Sequence, residues 1–279
     1  MRRAAEVLLA VAALALPADA VFGANLPRVV SMNVCSDQLL LTLADPEQIL
    51  GLSRYARDGW QSWAADRARP YPVLSGGAED VLMLKPDIVV ASLFDKRSTR
   101  ELLRAKGLRL AEFTVPRTLD EVKDQLRAMG EIVQHPDRAT AGIVRLDTAI
   151  ARARLAVTSR HYRVLPLSRR GWVSGRDSLV SALLTETGLL NPAGDLGGGF
   201  GGFVSLEAIV SLKPDFILVS EAGDRAEDDG RAFLLHPALE RFYPAEKRIV
   251  IPERLTVCGG VMLAEALDRL TAELKRVSR

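Results

Sequence analysis

The 279-residue chain is 48% hydrophobic and carries a formal net charge of only +2, with no long block of like charge. That length gives one large or two modest domains with ample core, and the near-neutral balance argues against nucleic acid as a partner.

At the N-terminus, Arg2 and Arg3 precede an apolar run over residues 7–16, then Pro17 and the small-residue site Ala18-Asp19-Ala20. This pattern predicts a secretory signal peptide over residues 1–20, too short to span a membrane. No cysteine follows the cleavage region, so a lipid anchor is not indicated and the product is expected to be exported and soluble. Export permits a disulfide between Cys35 and Cys258, which would staple the two halves of the chain. Two unpaired thiols fit the sequence equally well.

Residues 28–32 read as a short strand, after which Asn33, Ser36 and Asp37 offer caps for a helix over 38–43. A second strand at 48–53 leads into an aromatic loop holding Tyr55, Trp60 and Trp63. Gly76-Gly77 open a short helix that stops at Lys85-Pro86-Asp87, and a strand follows at 88–91. A helix over 98–106, a strand over 108–115 and a helix from the Thr118 cap to residue 133 complete the first half. Over residues 136–160, Ala139, Ile143, Leu146, Ile150, Ala153 and Val157 recur at steps of four and three. The spacing predicts one long helix with a single apolar face.

The second half repeats the order. A strand at 162–167, a helix over 177–187, a glycine run at 197–202 and a short helix capped by Ser205 precede a strand at 216–219. An acidic loop over 221–231, a strand at 248–251 and a helix over 262–275 close the chain. The two halves are copies in one stretch: the segments beginning at Glu79 and at Glu207 align without a gap, 128 residues apart, sharing Leu-Lys-Pro-Asp before a buried-strand pattern. Strands alternating with helices predict an α/β fold. The expected organisation is an N-terminal lobe over 21–135, a connecting helix over 136–160 and a C-terminal lobe over 161–279.

Catalytic signatures are missing. The glycine run formally satisfies G-x-G-x-x-G but follows no strand directly and lacks the Lys-Ser/Thr of a phosphate loop, so it reads as a flexible turn at a cleft rim. His135, His161 and His236 are scattered and make no metal spacing, and there is no nucleophile elbow. Binding is favoured over catalysis. Ligands of open α/β sheets sit beyond the carboxyl ends of strands. That rule selects Asn33 and Cys35, the loop from Tyr55 through Trp60 to Trp63, Trp172, and the stretch opening at Arg254 as candidates, with no catalytic residue and no resident metal.

A signal peptide, Val29-Val30-Ser31, the repeated Leu-Lys-Pro-Asp element and a spine helix together resemble the periplasmic binding proteins that serve ferric-siderophore, haem and cobalamin importers. The resemblance covers nearly all of the mature chain. It implies two Rossmann-like lobes with central, mostly parallel sheets joined by one backbone helix, in a monomeric periplasmic protein. It also implies delivery of a metal chelate to an ABC transporter permease dimer at the inner membrane, with no cofactor of the protein's own. The cargo implied first is a ferric siderophore, drawn to Arg57, Arg170, Arg176 or Arg254. Haem, with Tyr55 as an axial ligand, or cobalamin is the alternative, and an exported chelatase-like enzyme is the alternative of another class. Cobalamin-binding members carry a tryptophan six residues before each repeat glutamate, where this chain has Val73 and Gly201. Carried over by alignment, Glu79 and Glu207 become permease-docking points, with Asp80 a substitute for Glu79.

Overall fold

The computed structural model describes residues 26–157, 161–196, 199–220 and 232–277. The expected signal peptide and acidic loop lie outside them. Two sheets form two lobes, with helices packed against them.

In the first lobe, β1 (Val29–Ser31), β2 (Ile49–Gly51), β3 (Ile88–Ser92) and β4 (Arg109–Phe113) form a parallel sheet in the order β2-β1-β3-β4. The crossovers are α1 (Val34–Leu43), α2 (Ala78–Leu84) and α3 (Arg97–Ala105), and α4 (Leu119–Val133) follows the last strand. Asn33 and Thr118 cap α1 and α4, as their residue types predict. The spine is α5 (Pro136–Ala156), ending at Val157.

In the second lobe, β5 (Val164–Ser168), β8 (Phe216–Val219) and β9 (Arg248–Val250) are parallel, while β6 (Trp172–Ser174) and β7 (Gly201–Phe203) extend the sheet antiparallel, giving β7-β6-β5-β8-β9. Arg170 and Gly171 take left-handed backbone, with φ of 58° and 76°, and turn β5 back into β6. The glycine run is therefore not simply a turn. Its last two members, Gly201 and Gly202, belong to an edge strand, because β6 offers them a ladder partner. Helices α6 (Leu179–Glu186), α7 (Leu206–Leu212), α8 (Pro237–Phe242) and α9 (Leu263–Val277) complete this half.

The duplicated Lys-Pro-Asp element has the same geometry twice. Lys85 and Lys213 end α2 and α7 in left-handed backbone, with φ of 47° and 48°, and the proline bars further helix. The aspartate then reaches back across the sheet: Asp87 Oδ2 accepts from the Arg28 N–H at 2.7 Å, and Asp215 Oδ2 from the Arg163 N–H at 2.8 Å. Each thereby fixes the start of its strand beside the first strand of its lobe. The Arg28 N–H bond also holds the Asp87 carboxyl below its ordinary value, outweighing partial desolvation.

Two helices tie the lobes together. Near one end of α5, Arg138 donates to the Leu43 carbonyl at 2.9 Å and to Asp45 at 2.6 Å; near the other, Arg154 pairs with Glu186 on α6. Helix α9 seats Leu263, Ala264 and Leu267 in the first lobe's core with Leu146 of α5. Its Ala266, Leu270 and Leu274 enter the second core with Val164 and Ile249. Although α9 follows the second sheet in sequence, it therefore belongs to both lobes.

Candidate functional site

Cys35 lies just beyond the carboxyl end of β1 and Cys258 beyond that of β9, and a disulfide joins them with their Cα atoms 5.2 Å apart. The same edge is bridged again where the Trp63 indole N–H donates to Glu265 Oε2 of α9 at 2.7 Å. These two links bring the carboxyl ends of both sheets to one interlobe cleft, the edge at which α/β sheets bind ligands.

Three of the residues selected by the carboxyl-end rule are structural. Asn33 accepts from the Cys35 and Ser36 N–H groups at 3.1 Å and donates to Asp95 at 3.2 Å, so its side chain is committed to the helix start. Cys35 is consumed by the disulfide, and Trp63 by its bond to α9.

Tyr55, in the turn after β2, is 38% exposed, with the Arg54 guanidinium 4.7 Å above its ring and donating to its hydroxyl at 2.5 Å. Trp60, in the same loop, is 53% exposed. In the second lobe Trp172 is half-buried and meets Phe203 edge to face, with ring centroids 5.1 Å apart. Its indole lies over Gly201: a Cβ there would fall 3.0 Å from Trp172 Cζ2 and 2.4 Å from the Val173 carbonyl oxygen, at a φ of 144°. Only glycine accommodates that backbone and that neighbour, so the aromatic over this position comes from β6 and not from β7. Arg254 is half-buried in the turn after β9.

Sequence reasoning missed Phe94 and Phe203. Phe94, two residues past β3, is 79% exposed, and Phe203, at the cleft end of β7, is 68% exposed. For Phe94 the available signal was an aromatic two residues after a largely apolar strand; Phe203, ending a strand that opens with two glycines, carried none. A cavity of about 730 Å³ lies between α4, α5 and α6; Arg176 lies in its wall, whereas Tyr55, Trp60, Trp172 and Arg254 do not.

Beneath the Tyr55 turn sits a fully buried carboxyl. Asp37 accepts from the Ser53 N–H at 2.9 Å and from Ser53 Oγ at 2.5 Å, and Ser53 Oγ in turn accepts from the Tyr55 N–H at 3.2 Å. Burial pushes Asp37 from its ordinary 3.8 up to about 7, against the lowering effect of its serine hydrogen bonds. The folded state thus retains a proton that the unfolded chain releases near pH 3.8, and this contribution to stability is lost as pH rises through about 7. Asp37→Asn keeps the shape and the Ser53 N–H acceptor without the charge. Melting curves from pH 5 to pH 9 are expected to show the variant gaining on the wild type up to about pH 7 and holding that gain above it. A difference independent of pH would contradict this assignment.

Glu79 and Glu207 stand exposed in the first turns of α2 and α7, at equivalent places in the two copies of the repeat. The Ser205 hydroxyl and a helix-start N–H hold the Glu207 carboxyl below its ordinary range. The neighbouring Asp80 turns its carboxylate back onto the Ser75 N–H at 2.7 Å.

Residues 29–251 match the family model described as periplasmic binding protein. The chain belongs to the periplasmic binding protein family. A cobalamin-binding protein of Halobacterium salinarum is 25% identical over 224 residues, which cover 77% of this chain and 59% of that relative. This periplasmic binding protein thus matches well under two thirds of that relative's length. Among solved structures, the apo periplasmic heme-binding protein RhuT of Roseiflexus sp. RS-1 superposes with a TM-score of 0.73 at 24% identity, over 91% of this chain and 99% of that one. The periplasmic vitamin B12 binding protein BtuF of Vibrio cholerae does so with a TM-score of 0.68 at 18% identity, over 91% and 98%. Both likenesses speak to the two-lobed fold.

Proposed function

We propose that this protein captures a metal chelate in the interlobe cleft and hands it to the permease of an ABC transporter. The observation that carries the reading is the set of aromatics at the converging carboxyl edges: exposed Tyr55, Trp60 and Phe94 from one lobe, half-buried Trp172 and exposed Phe203 from the other. Large aromatic rings left in water at a cleft suit a ligand with a flat, conjugated surface. Arg170 and Arg254 stand nearby with no carboxylate bonded to them among the described residues, which favours an anionic cargo such as a ferric siderophore or a haem. The cobalamin-binding and heme-binding relatives support the same class of ligand. Residues 1–20 serve as an export signal in this reading, the protein works as a monomer in the periplasm, and Glu79 and Glu207 meet basic residues on the two halves of the permease.

Titration of the purified protein with haemin, ferric siderophores and cyanocobalamin tests the proposal through tryptophan emission and visible absorbance. Binding of one chelate, without its turnover, is the expected result. Trp172→Ala is expected to weaken that binding by about tenfold, the scale of one lost aromatic contact. Turnover of a chelate would overturn the reading in favour of an enzyme.

A further inference from the structure

The buried carboxyl of the first lobe is closed in by one short turn. Asp37 of α1 is fully buried, and both of its oxygens face Ser53, Oδ1 accepting the Ser53 N–H and Oδ2 the Ser53 hydroxyl. Ser53 is itself buried, two residues past β2, yet Arg54 and Tyr55 directly after it are exposed. That exposed tip is tied to the carboxyl through one hydroxyl, because Ser53 Oγ also accepts from the Tyr55 N–H. The chain beyond is anchored separately. Ala56 sits in the first core, and Arg57 donates to the Arg69 and Tyr71 carbonyls. Residues 53–55 are therefore the segment whose lifting admits water to Asp37.

Among the described residues no basic side chain pairs with Asp37. The charged neighbour that acts on it is Asp95, past β3, held by the Ser92 N–H at 2.7 Å and the Asn33 amide at 3.2 Å, and it opposes a second negative charge. From β1 comes only the Ser31 hydroxyl, and the rest of α1 is uncharged. Arg54 turns its guanidinium onto the Tyr55 ring and hydroxyl, and Glu265 of α9 is engaged by the Trp63 indole. An anion sealed in this way costs free energy that hydration would recover. Burial makes Asp37 keep its proton up to about pH 7, so each step in pH above that point favours an arrangement in which water reaches the carboxylate.

We infer that Asp37 is a proton-operated catch on the Tyr55 turn: protonated, it holds the turn seated at the cleft, and ionised, it releases the turn and weakens the hold on cargo. The effect on cargo rests on the metal-chelate reading, whereas the movement of the turn does not. Cargo is thus retained in acid and released more readily in alkaline surroundings.

Two quantities test this from pH 6 to pH 9 in the wild type and Asp37→Asn: hydrogen exchange of the amides of residues 53–55, corrected for its intrinsic pH dependence, and chelate affinity. Haemin, ferrichrome and cyanocobalamin serve as probes, and because both proteins meet each probe in the same buffers, the probe's own ionisation cancels. The wild type is expected to lose protection at the turn as pH passes about 7. Relative to the variant, it should bind the recognised probe at least about fivefold more weakly at pH 9 than at pH 6, within a linkage limit of about tenfold per pH unit. Asp37→Asn should show neither step. Should that variant not fold, Ser53→Ala replaces it: without the hydroxyl between the carboxyl and the Tyr55 N–H, the exchange step at Tyr55 is expected to vanish. Exchange profiles that run parallel in wild type and variant, or an affinity ratio independent of pH, would overturn the catch and leave the metal-chelate reading standing. Failure of every probe to bind would count against the metal-chelate reading alone, and the exchange comparison would then decide the catch.

Discussion

Replacing Glu79 and Glu207 together by arginine is expected to cut ligand uptake in cells by at least about tenfold while leaving the purified protein folded and able to bind. The two carboxylates are exposed, occupy matching first turns in the duplicated segment and sit one on each lobe. A transporter with two-fold symmetry presents two like surfaces, and a duplicated protein can offer one matching charge to each. In the proposed docking role, reversing both would set like charges against each other at the contact, slowing encounter and weakening the complex. Folding should be nearly indifferent, since exposed charges contribute little to stability; a melting temperature within about 2 °C of wild type is expected. Single reversals should fall between wild type and the double variant. Normal transport by the double variant would show that docking runs through other residues.

The second large effect concerns the Cys35–Cys258 bond, which closes a loop of 223 residues. Chain-entropy arithmetic for a loop of that length gives about 5 kcal/mol, and measured losses for native disulfides run from about 2 to about 5 kcal/mol. The Cys35→Ala, Cys258→Ala variant should therefore unfold in urea with about 3–5 kcal/mol less stability than the oxidised wild type. Because the cross-link restrains the unfolded chain, a steeper denaturant dependence should accompany the loss. Equal midpoints for the variant and the wild type would show that the bond contributes nothing to holding the lobes.

The parts of this fold legible in the sequence were those with long periodic patterns or a repeated motif. The spine was readable from Ala139 to Ala153 because one face recurs through the whole segment, and it stops at Ala156 near where the reading placed it. Leu-Lys-Pro-Asp announced two copies, but its purpose was hidden: the backbone that Asp87 engages lies 59 residues upstream, and the one Asp215 engages 52. Strands β6 and β7 escaped because three residues are too few for alternation to register, and Gly201-Gly202 speak for a turn unless Trp172 and Val173 lie alongside. The choice between thiols and a disulfide turned on a distance that only the packing of β1 and β9 at one edge supplies. At the candidate site, counting from strand ends selected Tyr55 and Trp172, which the fold places at the carboxyl edges, and the same count admitted Trp63, whose indole instead bonds Glu265.

Helix α9, seated in both cores, makes lobe separation expensive, since parting them would bare Leu263 and Leu267 or Leu270 and Leu274 to water. The spine and the disulfide act in the same direction. In the proposed role such a molecule has little freedom to signal its load by closing, so empty and loaded forms would present nearly the same outline to a receptor. Discrimination between them must then come from the cargo itself, exposed at the cleft mouth, or from a step after docking. In the proposed transport role, unloaded protein consequently occupies the same berth as loaded protein, and excess of it acts as a competitive inhibitor of import.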